Sequence, residues 1–244
     1  MPQLLAIDTS SAWCSVALSL DYQAPRCRQE EVSAGASQRL LPWIAELLKS
    51  SDIRLSSLDA IAVDIGPGAF TGVRLGIAAV QGLATAANLR VLPVTSLDAL
   101  AAQVTKSDRY AKNNPAVFAV AIDARMDEIY WAKYQSFGAN QLPTRISEIH
   151  LAKPENIDLQ DVQYLAGSAV AAYGSRLFVT RSLPEDACDT EITISALGVL
   201  ACAQSMLRQG HSISVAELEP LYVRNKVALT TEEREIAFGK GDTL

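Results

Sequence analysis

The order of apolar and polar residues predicts a group of strands followed by alternating helices and strands. Two apolar runs, Leu4–Asp8 and Trp13–Ser19, flank a short polar turn, and a third strand is expected around Arg26–Val32. Gln38–Lys49 then carries apolar residues at helical spacing, which is typical of an amphipathic helix. Ser37 is the N-cap that this pattern predicts, because a serine side chain can accept a hydrogen bond from the first free amides.

The helix predicted at Gln38–Lys49 has two features besides its apolar stripe. Pro42 falls beyond the first turn, where a proline ring without an amide hydrogen is expected to kink a helix. Trp43 lies off the main stripe, which suggests a second contact surface. The simplest interpretation is an ordinary helix that packs on the protein's own core, and the alternative is a helix that also meets a partner.

The most distinctive segment is a glycine-rich turn, Gly66–Gly76, between the apolar strand Ala60–Ile65 and a helix that starts near Thr71. Small residues continue into this helix at spacings of three or four and therefore share one face: Gly72, Gly76, Ala79, Gly82 and Ala86. Each glycine inside a helix costs roughly 1 kcal/mol relative to alanine, so this strip needs a compensating reason. Three interpretations remain open: packing within the fold, a groove for a partner helix, and a phosphate cradle.

The second half of the sequence repeats the beginning. Ala121–Asp123 has the same three residues as Ala6–Asp8, and each triplet ends one predicted strand and precedes another. The polar segment Ser107–Pro115 stands between the halves and marks a domain boundary. This pattern predicts an α/β protein with two related domains, as in the actin-like and sugar-kinase architecture.

The boundaries of the two domains follow from the same pattern. We predict an N-terminal domain at 1–106, completed by a helix at 195–209, and a smaller second domain at 107–228. Both are expected to have the actin-like α/β fold. The remainder, 229–244, is charged and has no apolar stripe, so a mobile tail is expected there.

Composition narrows the functional classes. The 244 residues are 49% apolar and 20% charged, with a net charge of −6 and no cluster of lysines and arginines. Sustained nucleic-acid binding by the chain alone is therefore not expected, because phosphates are neutralised by clustered basic side chains. The four cysteines are scattered, without a C-x-x-C pair, and no run of 18 apolar residues occurs. These features predict a cytoplasmic protein without a zinc site, a disulfide framework or a membrane segment.

Two aspartates are the candidates for nucleotide chemistry. Asp8 and Asp123 each end a strand before a turn, where actin-like folds clamp nucleotide phosphates. Neither turn contains the glycine that would let its backbone approach a phosphate, so no cofactor is predicted. The residues retained as candidate cofactor contacts are Asp8, Thr9 and Ser10. The two histidines are far apart in sequence, so neither a metal site nor catalytic residues are predicted. The alternative is an independent actin-fold ATPase or small-molecule kinase that uses both aspartates.

Several segments match one protein family. Those segments are Leu5–Ser10, Cys14–Leu18, Gly66–Gly76, Ala121–Tyr130 and Glu219–Asn225. With them, the sequence from the N-terminus to about residue 228 resembles the bacterial TsaB (YeaZ) family, and the glycine motif is the most specific part. The resemblance implies a two-domain actin-like fold. It also implies a role in making threonylcarbamoyladenosine next to the anticodon of tRNAs that read codons beginning with adenine.

The resemblance further implies a division of labour between subunits. In the TsaB family the chemistry belongs to a paralogous subunit, TsaD, which carries a metal-binding pair of histidines. The TsaB-like member is a non-catalytic scaffold that pairs with TsaD through helices of its N-terminal domain, and an ATPase, TsaE, joins the complex. A separate synthase supplies threonylcarbamoyl-adenylate, and tRNA is reached only through the complex. Many relatives have a histidine before Gln38, where this sequence has Ala36 and Ser37, which further argues against metal chemistry.

The residues expected to contact the partner lie on the two helices predicted near 38–49 and 71–86. They are Leu40, Leu41, Ile44, Gly72, Leu75, Gly76, Ala79 and Gly82. A leucine at Gly76 or Ala79 is expected to overfill the contact and abolish pairing while the monomer stays folded. Without its partner, the same surface could form a homodimer, because exposed small-residue grooves tend to self-associate.

Overall fold

The computed structural model describes residues 2–21, 23–32, 35–138 and 141–223, and it contains two mixed β-sheets. The first sheet has the strand order β3-β2-β1-β4-β5. Its strands are β1 (Leu4–Asp8), β2 (Trp13–Ser19), β3 (Arg26–Glu31), β4 (Ala60–Asp64) and β5 (Arg90–Val94). β1, β2 and β3 are antiparallel neighbours, whereas β1, β4 and β5 run parallel. The three strands predicted at the start of the chain are therefore confirmed.

The second sheet repeats this arrangement. Its strands are β6 (Val117–Arg125), β7 (Glu128–Gln135), β8 (Thr144–Arg145), β9 (His150–Ala152), β10 (Tyr164–Ala166) and β11 (Cys188–Asp189). Their order is β11-β10-β6-β7-β8, and β9 also pairs with β7. β6 and β7 form an antiparallel hairpin as β1 and β2 do, and β10 runs parallel to β6 as β4 runs parallel to β1. The repeat read from Ala6–Asp8 and Ala121–Asp123 is thus a repeat of structure.

The α-helices of the described residues connect and cover these sheets. They are α1 (Ala36–Ser50), α2 (Phe70–Ala87), α3 (Ser96–Val104), α4 (Asp108–Asn113), α5 (Ser168–Tyr173) and α6 (Ala196–Arg208). Single turns of 3-10 helix cover Leu55–Ser57, Pro154–Asn156, Gly174–Phe178, Glu185–Ala187 and Val215–Glu217. Gly35, with a left-handed φ of 103°, precedes α1. Ser37 therefore lies inside the helix, and its prediction as the N-cap is wrong.

α1 packs on the first sheet, mainly on β2, with Pro42 inside the helix. Trp43 does not form a second contact surface, because its side chain is only 3% exposed. It packs in the core under α1, and the guanidinium of Arg28 on β3 lies 4.5 Å from its ring centre. That prediction was wrong because the edge strand β3 closes over this side of the helix.

The helices form layers on both faces of the sheets. α1 and α2 cover one face of the first sheet, α3 and α6 lie between the two sheets, and α5 packs on the far face of the second. Alternate residues of β1 face opposite cores. Leu5 and Ile7 point toward α1 and α2, while Leu4 and Ala6 point toward α3 and α6. β1 is apolar from Leu4 to Ile7 because both of its faces are covered.

The core between the sheets joins the two halves of the chain. α6 packs on α3 and on β1, and the same core includes Phe118 and Tyr134 of the second sheet. The division into domains at 1–106 and 107–228 stays a prediction, since this shared core crosses it. The tail predicted at 229–244 lies outside the described residues.

Candidate functional site

The glycine-rich turn packs against the turn that joins β1 and β2. Thr9 Oγ1 donates a 2.7 Å hydrogen bond to the carbonyl oxygen of Gly72. The amide of Ala69 donates one of 2.6 Å to the carbonyl oxygen of Ser10. A Cβ atom at Gly72 would lie 1.9 Å from the Thr9 carbonyl oxygen. One at Gly68 would lie 2.3 Å from the Ser10 carbonyl oxygen, so the chain's own fold requires both glycines.

Gly76 faces the same turn one helical turn further along α2. A Cβ there would lie 2.8 Å from Thr9 Oγ1 and 3.5 Å from Val63 Cγ2. The expectation that Gly72 and Gly76 face a partner is therefore wrong, because the β1–β2 turn approaches the helix too closely to admit a side chain. A leucine at Gly76 would collide with Thr9 of its own chain, so it would not leave the monomer intact.

The outward side of α2 carries a different set of small residues. Ala78, Gly82 and Ala86 follow one another at intervals of four and are all exposed. Nothing lies within 4 Å of the position that a Cβ at Gly82 would take. Leu75 and Ala79 are half-buried along the same side. We call these five residues the outer strip of α2.

The contacts predicted on α1 divide in the same way. Leu40 and Ile44 are 1% and 2% exposed and belong to the core between α1 and the first sheet. Leu41, by contrast, is 51% exposed. Leu40 and Ile44 are thus not available to a partner, while Leu41 on α1 and Leu75, Ala79 and Gly82 in the outer strip remain predicted contacts.

α2 is apolar for a helix that lies on the surface. Its 18 residues have a mean hydropathy of 1.2, yet only 28% of them are buried. Length and composition alone would allow such a helix to cross a membrane, but Val73, Ile77 and Val80 pack on the first sheet instead. The uncovered part of α2 is therefore a helix face of small and apolar residues beside a folded core.

Asp8 and Ser10 belong to a buried polar cluster at the ends of β1 and β4. Asp8 Oδ1 accepts hydrogen bonds from the amide and the hydroxyl of Ser10, at 2.9 and 2.7 Å. The same hydroxyl lies 3.1 Å from Asp64 Oδ2, and the Asp64 carboxyl also accepts from the amide of Gly66 and the hydroxyl of Ser96. Burial raises the pKa of Asp8, and burial with the nearby charge of Asp8 raises the pKa of Asp64 well above its usual range.

A cleft of about 1130 Å³ lies between the two halves. Ser10 and Phe70 line it from the first half, Asp123 and Arg125 from the second, and Tyr222 from the last described segment. Asp8 and Thr9, the other two candidate cofactor contacts, are 0% and 3% exposed and lie behind this surface in the described structure. Ser10 lines the cleft but is itself only 2% exposed, and the β1–β2 turn directs its backbone carbonyls to the start of α2.

The hairpin between β6 and β7 occupies the equivalent place in the second half. Arg125, Met126 and Asp127 all have positive φ angles, of 63°, 53° and 63°. Arg125 lies 3.3 Å from Asp123 Oδ2, and Asp123 Oδ1 accepts a 2.8 Å hydrogen bond from Tyr173. Arg125 thus pairs with the Asp123 carboxylate, and Asp123 is held by its own chain.

The remaining candidate ligands do not converge within the described residues. No group of three or more histidine, cysteine, aspartate or glutamate side chains there could hold a metal ion. His150 stacks on Trp131 with ring centres 4.6 Å apart. Burial raises the pKa of the Cys14 thiol to about 11, so that thiol stays protonated at neutral pH.

Two features of the site were not selected from the sequence. Asp64 is the last residue of β4, before the glycine turn, as Asp8 is the last residue of β1. The equivalent positions of the two aspartates could have identified Asp64 from the sequence. Arg74, one turn into α2, lies 3.2 Å from the ring centre of Phe70 and hydrogen-bonds Tyr222. No local pattern links positions 74 and 222, because the contact depends on the fold.

Comparison with known proteins identifies relatives along most of the chain. The protein-family model of TsaD, tRNA N6-adenosine threonylcarbamoyltransferase, matches residues 30–231. The tRNA threonylcarbamoyladenosine biosynthesis protein TsaB of Haemophilus influenzae is 37% identical over 235 residues, covering 92% of this chain and 94% of that protein. TsaB of Escherichia coli K12 is 34% identical over 235 residues, covering 93% and 96%.

Solved structures agree with these sequence relatives. A Pseudomonas aeruginosa protein described as similar to the peptidase YeaZ superposes with a TM-score of 0.80 at 34% identity, covering 92% of this chain and all of that one. YeaZ from Pseudomonas aeruginosa gives a TM-score of 0.78 at 34% identity, covering 91% and 100%. The predicted two-domain, actin-like α/β fold is confirmed. The chain belongs to the TsaB (YeaZ) family and acts in the biosynthesis of threonylcarbamoyladenosine in tRNA.

Proposed function

We propose that this chain is the non-catalytic scaffold subunit of a cytoplasmic complex that transfers a threonylcarbamoyl group to the adenosine next to the anticodon. Its partners in the proposal are a TsaD-like catalytic paralogue and a TsaE-like ATPase, and tRNA is reached only through the complex. The observation that carries the pairing is the outward glycine of α2, Gly82.

No contact among the described residues requires a glycine at position 82. Gly72 and Gly76 are required by the close approach of Thr9, whereas a Cβ at Gly82 would meet nothing within 4 Å. Glycine inside a helix costs about 0.5–1 kcal/mol relative to alanine. A second helix that presses against this position would supply the compensating contact.

The outer strip has the shape that close helix packing needs. Its exposed members, Ala78, Gly82 and Ala86, have at most a methyl side chain, so another helix axis can approach closely along this line. Leu41 on the neighbouring helix α1 supplies a larger apolar side chain, 51% exposed. In the proposal, α1 and α2 pack against the equivalent pair of the paralogue as a four-helix contact.

The charges of α1 support this assignment. Arg39 pairs with Glu30 and Glu46 pairs with Arg28, so two of the three charged residues of α1 are directed to the edge strand β3. The third, Lys49, lies in the last turn of the helix. The outer strip itself contains no charged residue. A face without charged side chains is typical of the centre of a protein interface.

The β1–β2 turn supports a non-catalytic role. The Ser10 carbonyl oxygen accepts from the amide of Ala69, and the Thr9 carbonyl oxygen lies close to Gly72. The backbone of this turn is therefore used for packing within the chain. A phosphate would need free amides and space at that place. The proposal therefore assigns the transfer chemistry to the paralogue.

A reconstitution with omitted components tests the proposal. Purified chain, the TsaD-like paralogue, the TsaE-like ATPase and the synthase are mixed with tRNA, and modified adenosine is measured with each protein left out in turn. We expect product to be lost when this chain is absent, and the isolated chain to form none. Undiminished product without this chain would refute the scaffold role.

The same face accounts for a homodimer when the chain is alone. Leu41 and the exposed residues of the outer strip, Ala78, Gly82 and Ala86, carry no charge, so two copies could bury them against each other. Because this contact would use the surface proposed for the paralogue, adding the paralogue should convert homodimer into heterodimer. A homodimer that persists in a ternary assembly would place one of the two interfaces elsewhere.

A further inference from the structure

Two carboxyl groups are buried together where β1 and β4 end. Asp8 and Asp64 are 0% and 1% exposed. The hydroxyl oxygen of Ser10 lies 2.7 Å from Asp8 Oδ1 and 3.1 Å from Asp64 Oδ2, so one hydroxyl bridges the two acids. Two adjacent negative charges in such a sealed place are strongly unfavourable.

Counting the protons available to these hydrogen bonds identifies the carboxyl oxygen that is protonated. A serine hydroxyl donates one proton, and Ser10 has its shorter contact with Asp8. Its longer contact, to Asp64 Oδ2, then needs a proton on Asp64. Asp64 Oδ1 already receives the amide of Gly66 at 2.7 Å and the hydroxyl of Ser96 at 2.6 Å, which leaves Oδ2 to carry that proton.

Asp8 keeps the negative charge of the pair. Its Oδ1 accepts from the amide and the hydroxyl of Ser10, and its Oδ2 is buried without a hydrogen-bond partner among the described residues. Burial opposes a second charge beside it, which favours the proton on Asp64. The charges of Asp8 and Asp64 act on the thiols of Cys14 on β2 and Cys202 on α6, and burial raises the pKa values of these thiols to about 11 and about 12. Both thiols are neutral at physiological pH and bring no balancing positive charge.

We propose that Asp64 is a neutral carboxylic acid in the native protein at physiological pH and that its proton positions the glycine turn at the start of α2. Through one carboxyl group, β4 holds the amide of Gly66, the hydroxyl of Ser96 on α3 and the hydroxyl of Ser10 in the β1–β2 turn. Asp64 is thus a positioning residue for α2. The assignment does not depend on the scaffold role, because the proton is present whether or not a partner binds.

Infrared spectroscopy can observe this proton directly. At pH 8 exposed aspartates and glutamates are ionised, since their ordinary pKa values are about 4, so a carboxylic-acid carbonyl band reports buried neutral acids. We expect this band in the native protein and its loss in Asp64→Asn. The matched control, Asp161→Asn, removes an exposed carboxyl and should keep the band. Absence of the band in the unaltered protein, or its persistence in Asp64→Asn, would overturn the assignment.

The pH dependence of stability gives a second readout. Above pH 4 the unfolded chain has released the Asp64 proton while the native chain keeps it, so stability falls as pH rises through the native pKa. One retained proton changes the folded-to-unfolded ratio by up to about tenfold per pH unit. Asp64→Asn should remove this slope and remain folded, because an amide nitrogen at the Oδ2 position can donate to Ser10. An unchanged slope, or an Asp64→Asn protein as destabilised as Asp64→Ala, would contradict the proposal.

Discussion

The hydroxyl of Thr9 donates to the carbonyl oxygen of Gly72, and this contact fixes the inward side of α2. The helix can come this close because Gly72 has no side chain. The glycines of one helix thus have two different causes, since Gly72 faces the chain's own turn and Gly82 faces outward.

Alanine at these two positions should change stability in opposite directions. Gly72→Ala places a Cβ against the Thr9 backbone, and overpacking of this kind costs roughly 1–3 kcal/mol. Gly82→Ala adds a methyl group in open space and should stabilise the isolated chain by about 0.5–1 kcal/mol. Denaturant unfolding of both variants measures the difference. Two changes of the same sign would show that α2 is oriented differently.

Substitution of two neighbouring leucines on α1 should affect different properties. Leu40 should matter for the stability of the chain, and Leu41 for its binding to the paralogue. Leu40→Ala removes a buried side chain and should cost about 2–5 kcal/mol of unfolding free energy. Leu41→Ala alters a half-exposed side chain and should change stability by no more than about 0.5 kcal/mol.

Leu41→Ala should nevertheless weaken binding of the TsaD-like paralogue. Thermal unfolding combined with a binding titration distinguishes the two effects, and Leu41→Lys serves as a stronger version of the same change. If Leu41→Ala and Leu41→Lys both bind the paralogue as tightly as the unaltered chain, α1 has no part in the interface.

The β6–β7 hairpin should tolerate a residue better suited to its backbone. Met126 has a φ of 53°, a left-handed conformation that asparagine adopts more readily than methionine. Met126→Asn is therefore expected to raise stability by about 1 kcal/mol. The melting temperature checks this, and a clear decrease would mean that the methionine side chain makes a contact worth more than the backbone preference.

ATP should not bind strongly to the isolated chain. The β1–β2 turn packs on α2 and Asp8 is fully buried, so neither is free to hold phosphates with Mg²⁺. Calorimetry of the isolated chain with ATP and Mg²⁺ should show no strong heat. Tight binding that is lost in Asp123→Asn would support the alternative, an independent ATPase or kinase, because Asp123 lines the cleft.

The sequence predicted the order of the elements well, because alternation and helical spacing are local properties. β1, β2 and α2 lie where the apolar patterns indicated, and the repeated triplet marks equivalent strands. Ser37 was misassigned as an N-cap because the left-handed Gly35 is the N-cap, so the helix begins two residues earlier, at Ala36.

The candidate site was predicted less completely, because helical spacing cannot tell which face of an apolar helix turns inward. Helical spacing puts Gly72, Gly76 and Gly82 on one strip, yet the turn at Thr9, 63 residues before Gly72, covers the first two. Leu40 and Ile44 are buried by packing that only the folded sheet reveals. The pairing of Asp8 with Asp64 likewise depends on β1 lying beside β4.

Binding of the paralogue to Gly82→Leu tests the scaffold account most directly. The variant gains a good helix former in open space, so the isolated chain should melt at or above the temperature of the unaltered protein. Ala171→Leu on α5, also an exposed small residue, is the matched control. We expect Gly82→Leu to bind the TsaD-like paralogue at least about tenfold more weakly, since overfilling a packed contact costs ~1–3 kcal/mol, and Ala171→Leu to bind normally. A folded Gly82→Leu chain that binds as tightly as the control would contradict the account.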